Sequence, residues 1–301
     1  MKLSHALEAA AVRGLDRIAR GIGWRRSRIL GARLGALAGR MGLRRRVASE
    51  NLARAFPEKS ETERRGILAR HYRELGRVAL EYPHLPALAR AADGEVIAAV
   101  RGFEHIEGAV AGGRGAMLMS GHFGNFELMA AWTARRVPLD LLVRPQSNPG
   151  VDRWITETRA AAGLGSIRAD VGVREAFANI RLGRSVALLG DQDARRHGVF
   201  VPFMGAPAST PVGPARMAIA LGVPIVMGFC WRREDGRFEI DYEPPLTEPG
   251  RGDAAVKRLT ARHTDRLSEW VRKKPEMWFW LHRRWKTALP DPAPHYPSGD
   301  L

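Results

Sequence analysis

The 301-residue chain contains a single cysteine, Cys230, so an intramolecular disulfide is excluded, and with it a small stapled scaffold. That usage suits a reducing, cytoplasmic setting. The thiol lies in the apolar run 224–231, which reads as a buried strand, and an inert core thiol is the expectation. Long apolar runs are also missing. Arginine interrupts each one well before the roughly 20 residues a membrane span needs, and no apolar stretch with a cleavage-like site follows Met1 and Lys2, so neither a transmembrane helix nor a signal peptide is expected. No clustered set of hard ligands argues for a metal. Zinc-ligand spacings, an aromatic RNA-binding block and a helix-turn-helix signal are absent too, which leaves nucleic acid without support. Acidic residues are scarce, 32 Asp and Glu against 48 Lys and Arg, giving a net charge of +16. Such an excess calls for a polyanionic neighbour, either an anionic membrane surface or an acidic protein once nucleic acid is set aside.

What is present centres on residues 120–127, Ser-Gly-His-Phe-Gly-Asn-Phe-Glu. The apolar residues 116–119 before them read as a short buried strand, and residues 128–132 after them read as a helix. His122 therefore sits in a turn. In continuous helix, His122 and Glu127 would point roughly 140° apart. With Asn125 as an N-cap, Glu127 instead falls in the first helical turn, where its carboxylate can reach back to the imidazole. Gly121 and Gly124 let the backbone bend there. A neutral imidazole takes a proton from a hydroxyl, and a carboxylate on its far nitrogen fixes the tautomer and stabilises the imidazolium. Acyl transfer to an alcohol uses this chemistry.

Upstream, residues 3–22 place Leu3, Leu7, Ala11, Leu15, Ile18 and Ile22 on one stripe beside Arg13, Arg17 and Arg20, the pattern of a basic amphipathic helix. A second segment carries Leu30, Leu34, Leu37 and Met41 on one side and Gly31, Gly35 and Gly39 at intervals of four, which permits close helix packing. Both segments either lie in a membrane interface or cover the core. Residues 60–63 form a capping box that opens a helix to Glu81, before Pro83. Residues 139–143 read as the next strand, and Arg144 and Asn148 leave its end toward the same cleft as His122. The helix from Asp152 to Ala162 presents Arg159, whose guanidinium suits a phosphate or carboxylate, Glu127 included. Residues 185–189 are a further strand that ends in Asp191, Gln192 and Asp193, where carboxylates contact sugar hydroxyls or brace Arg159. The glycine-bounded run 198–205 either walls an acyl chain or forms a buried hairpin. Ser209, Thr210 and Pro211 read as the cap of a helix to Ala220. Strands follow around Ile225 and Phe238, then a helix from Ala254 to Val271. Residues 278–286 interleave aromatics and cations, a mixture for a membrane interface or for stacking on a sugar, or else for packing on the sheet. The proline-rich end from Pro290 reads as disordered.

Gly-His-Phe-Gly-Asn-Phe-Glu-Leu resembles the His-x4-Asp/Glu motif of glycerolipid acyltransferases, in the form found in the bacterial lipid A biosynthesis acyltransferases, the lauroyl/myristoyl transferase family. Residues 46–58, 144–149, 191–193, 198–205 with Thr210 and Pro211, and 275–286 are similar to that family's other blocks, in the same order. The resemblance implies an α/β fold, a central mostly parallel or mixed sheet flanked by helices. The amphipathic basic helices of residues 1–45 would lead an acyltransferase domain of residues 46–289, with 290–301 as a tail. It implies transfer of a fatty acyl group from an acyl thioester, on acyl carrier protein or coenzyme A, to a hydroxyl of a lipid A precursor, at the cytoplasmic face of the inner membrane. His122 is then the general base and Glu127 its orienting partner. Arg144, Asn148, Arg159, Asp191 and Gln192 bind substrate, and the backbone N–H groups of Gly124, Asn125 and Phe126 hold the oxyanion. No cofactor or metal is expected, and no covalent intermediate, since no activated Ser or Cys stands beside the base. A phosphatidylinositol mannoside or a lysophospholipid is the alternative acceptor. A noncatalytic basic protein that binds membranes or nucleic acid is the reading of a different class.

Overall fold

The computed structural model describes residues 3–289; the expected disordered tail of residues 290–301 lies outside them. Among the described residues nine strands are formed, β1 (Ile97–Arg101), β2 (Met117–Ser120), β3 (Leu139–Val143), β4 (Gly165–Arg168), β5 (Ser185–Leu189), β6 (Val199–Phe203), β7 (Ala206–Thr210), β8 (Ile225–Arg232) and β9 (Phe238–Tyr242). The helices are α1 (Leu3–Ile22), α2 (Trp24–Arg40), α3 (Arg45–Ala55), α4 (Glu61–Glu81), α5 (Leu85–Leu88), α6 (Glu104–Ala111), α7 (Phe126–Ala134), α8 (Pro149–Ala161), α9 (Val173–Arg181), α10 (Gly213–Leu221) and α11 (Gly252–Lys273).

Seven strands make one sheet in the order β1-β9-β8-β2-β5-β3-β4, in which only the β8–β9 pair is antiparallel. This is the expected α/β class. Strand β2 is buried on both faces, which is why its sequence is a continuous apolar run rather than an alternating one. Met117 and Met119 join the core on one face, while Leu118 joins the core on the other. The first core also takes Phe203, Leu267, Trp278 and Trp280; the second takes Leu128, Trp132 and Ile240.

The expected capping box is formed: Ser60 N donates to Glu63 Oε2 at 2.8 Å, and Glu63 N donates back to Ser60 Oγ at 3.3 Å. The glycines of α2 face α4. A methyl group built on Gly35 would lie 2.0 Å from the Tyr72 carbonyl oxygen, and one on Gly31 would lie 2.3 Å from that of Gly76. The two helices thus touch backbone to backbone. The leucine side of the same pair faces out, with Leu37 and Met41 at 50% and 79% exposure, alongside Leu3 and Leu7 of α1 at 77% and 64%.

Two expectations are corrected. Ser209 and Thr210 end strand β7 rather than capping a helix, and α10 starts at Gly213. The reason is Arg284, whose guanidinium takes the Ser209 carbonyl and the Thr210 hydroxyl at 2.6 and 2.5 Å. Residues 278–286 do not present an aromatic interface either: Trp278, Trp280 and Arg284 are fully buried. The run 198–205 is the hairpin, with β6 paired to β7 and Val201 and Phe203 in the core.

The backbone contact of α2 with α4 leaves no room for a side chain. Gly35→Ala is expected to destabilise the fold by about 1 to 3 kcal/mol through overpacking, read as a lower urea midpoint at unchanged slope.

Candidate active site

Strands β2 and β5 run parallel with Ser120 opposite Leu189. Each continues as a glycine followed by a polar residue, Gly121-His122 and Gly190-Asp191. Two residues beyond a matched register, His122 and Asp191 leave the sheet side by side at its C-terminal edge, where open α/β sheets place ligands. The Asp191 Oδ1 accepts from His122 Nδ1 at 2.7 Å, and its Oδ2 accepts from the His122 backbone N–H at 2.8 Å. Trp278 Nε1 also donates to Oδ2, at 2.8 Å. A side chain on Gly121 would stand 3.0 Å from the same oxygen, so glycine is what lets the turn close on the carboxylate.

The loop then passes through Gly124, whose φ of 53° lies in the left-handed region and whose missing Cβ would sit 1.9 Å from the Cys230 carbonyl. Asn125 caps α7 by accepting from Leu128 N at 3.0 Å, as expected. Glu127 accordingly lies in the first turn of α7.

Its carboxylate does not bond to the imidazole. It faces the Arg159 guanidinium on α8, taking Nε at 3.2 and 3.1 Å and a further bond from Nη2. Both side chains are largely buried. The physical reason is that His122 Nδ1 already donates to Asp191, whereas Arg159 is a cation that burial obliges to pair. Glu127 still acts on His122 through its charge, which favours the imidazolium. Asp191 in turn is the partner of His122 rather than of Arg159.

The other candidates divide. Gln192 stands at the outer nitrogen of the imidazole, with its Nε2 3.4 Å from His122 Nε2. Arg144 is exposed and follows β3 at the same sheet edge. Asn148, by contrast, is buried and occupied: its Oδ1 caps α8 through Gly150 N at 3.0 Å, and its Nδ2 donates to His5 O and Glu8 Oε2. It is a structural cap with nothing left for a substrate. The Gly124 and Asn125 N–H groups are likewise spent on the carbonyls of Met277 and Cys230, at 2.8 and 3.0 Å. Of the three proposed oxyanion donors, only that of Phe126 is left over. Cys230 is fully buried, as an inert thiol should be. Among the described residues no cluster of potential ligands could hold a metal ion.

The electrostatics follow from this pairing. Burial works against the His122 cation, but the charge and hydrogen bond of Asp191, with Glu127 behind, outweigh it and raise the imidazole above its ordinary 6.5. Burial would raise the Asp191 carboxyl, yet the imidazole and the N–H donors hold it down to about 2. The rings of Phe126 and Phe279 flank His122, with centroids 5.6 and 6.1 Å away. The imidazole is thus fixed by its inner nitrogen and presents its outer one.

Residues 7–287 match the family model of the bacterial lipid A biosynthesis acyltransferases. The chain belongs to that family. The resemblance read from the His motif and its five companion blocks is therefore sound. The lipid A biosynthesis lauroyltransferase of Escherichia coli is 32% identical over 269 residues, covering 86% of this chain and 84% of that protein. The palmitoleoyltransferase of the same organism is 26% identical over 275 residues, with the same coverage. A phosphatidylinositol mannoside acyltransferase of Mycobacterium tuberculosis is 29% identical over 196 residues, 63% of this chain; the match spans 60% of that relative's length.

A base must be neutral, so activity should rise with pH through a midpoint above 6.5. Asp191→Asn removes the charge that favours the imidazolium; its midpoint should fall below that of the wild type, and its plateau should drop about a hundredfold or more. An unshifted midpoint in a pH–rate profile would contradict the pairing. Removing one member of the buried Glu127–Arg159 pair strands the other, so Glu127→Ala should cost about 3 to 5 kcal/mol of stability, measured by urea unfolding.

Proposed function

We propose that the protein moves a fatty acyl chain from an acyl thioester on acyl carrier protein to a hydroxyl of a lipid A precursor. The observation that carries this reading is the orientation of His122: Nδ1 donates to a buried carboxylate, so that the neutral imidazole offers Nε2 as a base at the sheet edge. Nε2 takes the acceptor's hydroxyl proton, and Asp191 stabilises the imidazolium. The alkoxide attacks the thioester carbonyl, and the Phe126 N–H at the start of α7 is the donor placed to meet the oxyanion. The tetrahedral intermediate collapses with loss of the thiolate, which recovers its proton from His122 and leaves as a thiol. Ester and free thiol are the products, and no enzyme-bound acyl group forms. Arg144 serves an anionic part of the substrate. Arg159 acts by holding Glu127.

The lipid A acceptor is preferred because the alignment with the lauroyltransferase takes in 86% of this chain, against 63% for the mannoside acyltransferase. No described helix is long and apolar enough to cross a membrane. The exposed leucines of α1 and α2, with arginines between them and a chain charge of +16, suit peripheral attachment to an anionic inner-membrane surface.

Purified protein should release thiol from acyl carrier protein thioesters only when a tetra-acylated lipid A precursor is present. His122→Ala should lower that rate by about 10² to 10⁴-fold while remaining folded. Release driven instead by phosphatidylinositol mannoside would transfer the chemistry to that acceptor, and a folded, fully active His122→Ala would refute the base.

A further inference from the structure

Behind the Asp191 carboxylate lies a small cavity of about 10 Å³, lined among others by Ser120, Asp191, His263, Leu267 and Arg284. Three polar atoms of fully buried side chains at this cavity have no hydrogen-bond partner among the described residues: Ser120 Oγ, His263 Nε2 and Arg284 Nε. A buried polar group left without a hydrogen-bond partner is costly, so three around one space of this size are not accidental. The space is about that of one water molecule, which needs two to four polar partners. Arg284 is buried completely, and its other nitrogens go to the Ser209 carbonyl and the Thr210 hydroxyl. Among the described residues it therefore makes no direct ion pair with a carboxylate, although a buried guanidinium needs one nearby.

The geometry points to Arg284 as a positioning residue of the transfer reaction: from beneath the sheet edge it holds Asp191 as a carboxylate, through one buried water shared with Ser120 and His263. Arg284 Nε–H and the Ser120 hydroxyl donate to the water, and the water donates to His263 Nε2 and to the Asp191 carboxylate. Neutral His263 is the acceptor this requires, and burial pushes it down to about 3. Arg284 itself is pushed down by burial to about 10, against the opposing charges of Asp191 and Asp193, and remains a cation at neutral pH.

This inference rests on the general-base reading of His122. While His122 is neutral, Asp191 is a buried anion, and Arg284 is the cation that makes this tolerable. Once His122 accepts a proton, Asp191 has two cationic neighbours and the imidazolium is less favoured. Arg284 thus keeps the base from being held permanently protonated. The groups that bear on the His122–Asp191 pair are Glu127 of α7 with Arg159 of α8, His263 of α11, Asp193, half-buried His282, the Trp278 indole and Arg284. Of the cations among them, Arg159 is taken up by Glu127.

The test titrates His122 by NMR in labelled protein, its resonance assigned with His122→Gln, alongside the pH profile of thioester consumption. In Arg284→Gln both midpoints should move up, by about half a pH unit or more, with activity at pH 7 falling by up to about threefold per half unit and recovering on the alkaline side. Arg284→Lys keeps the charge and should keep the wild-type midpoint. Ser120→Val fills the water's place and leaves Arg284; it should shift both midpoints in the same direction by a smaller amount, and it decides the matter should Arg284→Gln not fold. Wild-type midpoints in the folded variants, even with lower activity, would reduce Arg284 to a structural role and overturn the proposal. A crystal structure showing the cavity dry would overturn the water. Wild-type protein that consumes no thioester would sink the transferase reading, and the NMR titration would still judge Arg284.

Discussion

A buried negative charge at the end of one strand is the constraint on which the rest of the molecule depends. Asp191 is removed from water, and a carboxylate so placed is stable only when its oxygens are paired. Its three hydrogen bonds come from the His122 backbone, the His122 ring and the Trp278 indole. These donors belong to segments far apart in sequence, so satisfying the one carboxylate draws the loop after β2 and the chain after α11 to the same point. The orientation of His122 is then a by-product of solvating Asp191.

The N-terminal helices are tied to this arrangement by the same means. Asn51 of α3 donates to the carbonyls of Trp280 and His282 at 2.8 and 2.6 Å, and His71 of α4 binds the Glu276 carbonyl at 3.1 Å. Arg232, buried on β8, pairs with Glu74 and Glu81 of α4. Helices α3 and α4 are thereby walls of the site, and α2 lies on α4 backbone to backbone. Its glycine face is committed inward while its leucine face stays available.

The sequence carried the strand-turn-helix around His122, the capping box of α4 and the glycine face of α2, because each is a local pattern of propensity or spacing. It misassigned the partner of His122 for an equally physical reason. Glu127 is five residues away and Asp191 is sixty-nine, and only the insertion of β5 beside β2 makes the distant one near. A signal was present: two apolar runs each end in a glycine followed by a polar residue, at the same offset. Asn148 and the Gly124 and Asn125 amides looked like substrate contacts because a sequence displays donors and acceptors without showing which are already engaged. The aromatic and basic stretch 278–286 misled in the same way, since burial of a cation cannot be read from its identity.

The dispersal of the site along the chain also fixes when it can exist during synthesis. Five strands of the seven-stranded sheet, β8-β2-β5-β3-β4, can be in place with His122 and Asp191 once β8 has emerged, since β1 waits for β9, but Trp278, the Met277 carbonyl that takes Gly124 N–H, and Arg284 come later. A nascent chain halted before them can present a sheet, yet its His122 would rest beside a carboxylate that lacks the Trp278 donor. The full set of hydrogen bonds to Asp191 is thus withheld from partial chains until the residues around 278–284 have folded back, which makes the finished site a report that the whole of the described fold has been assembled.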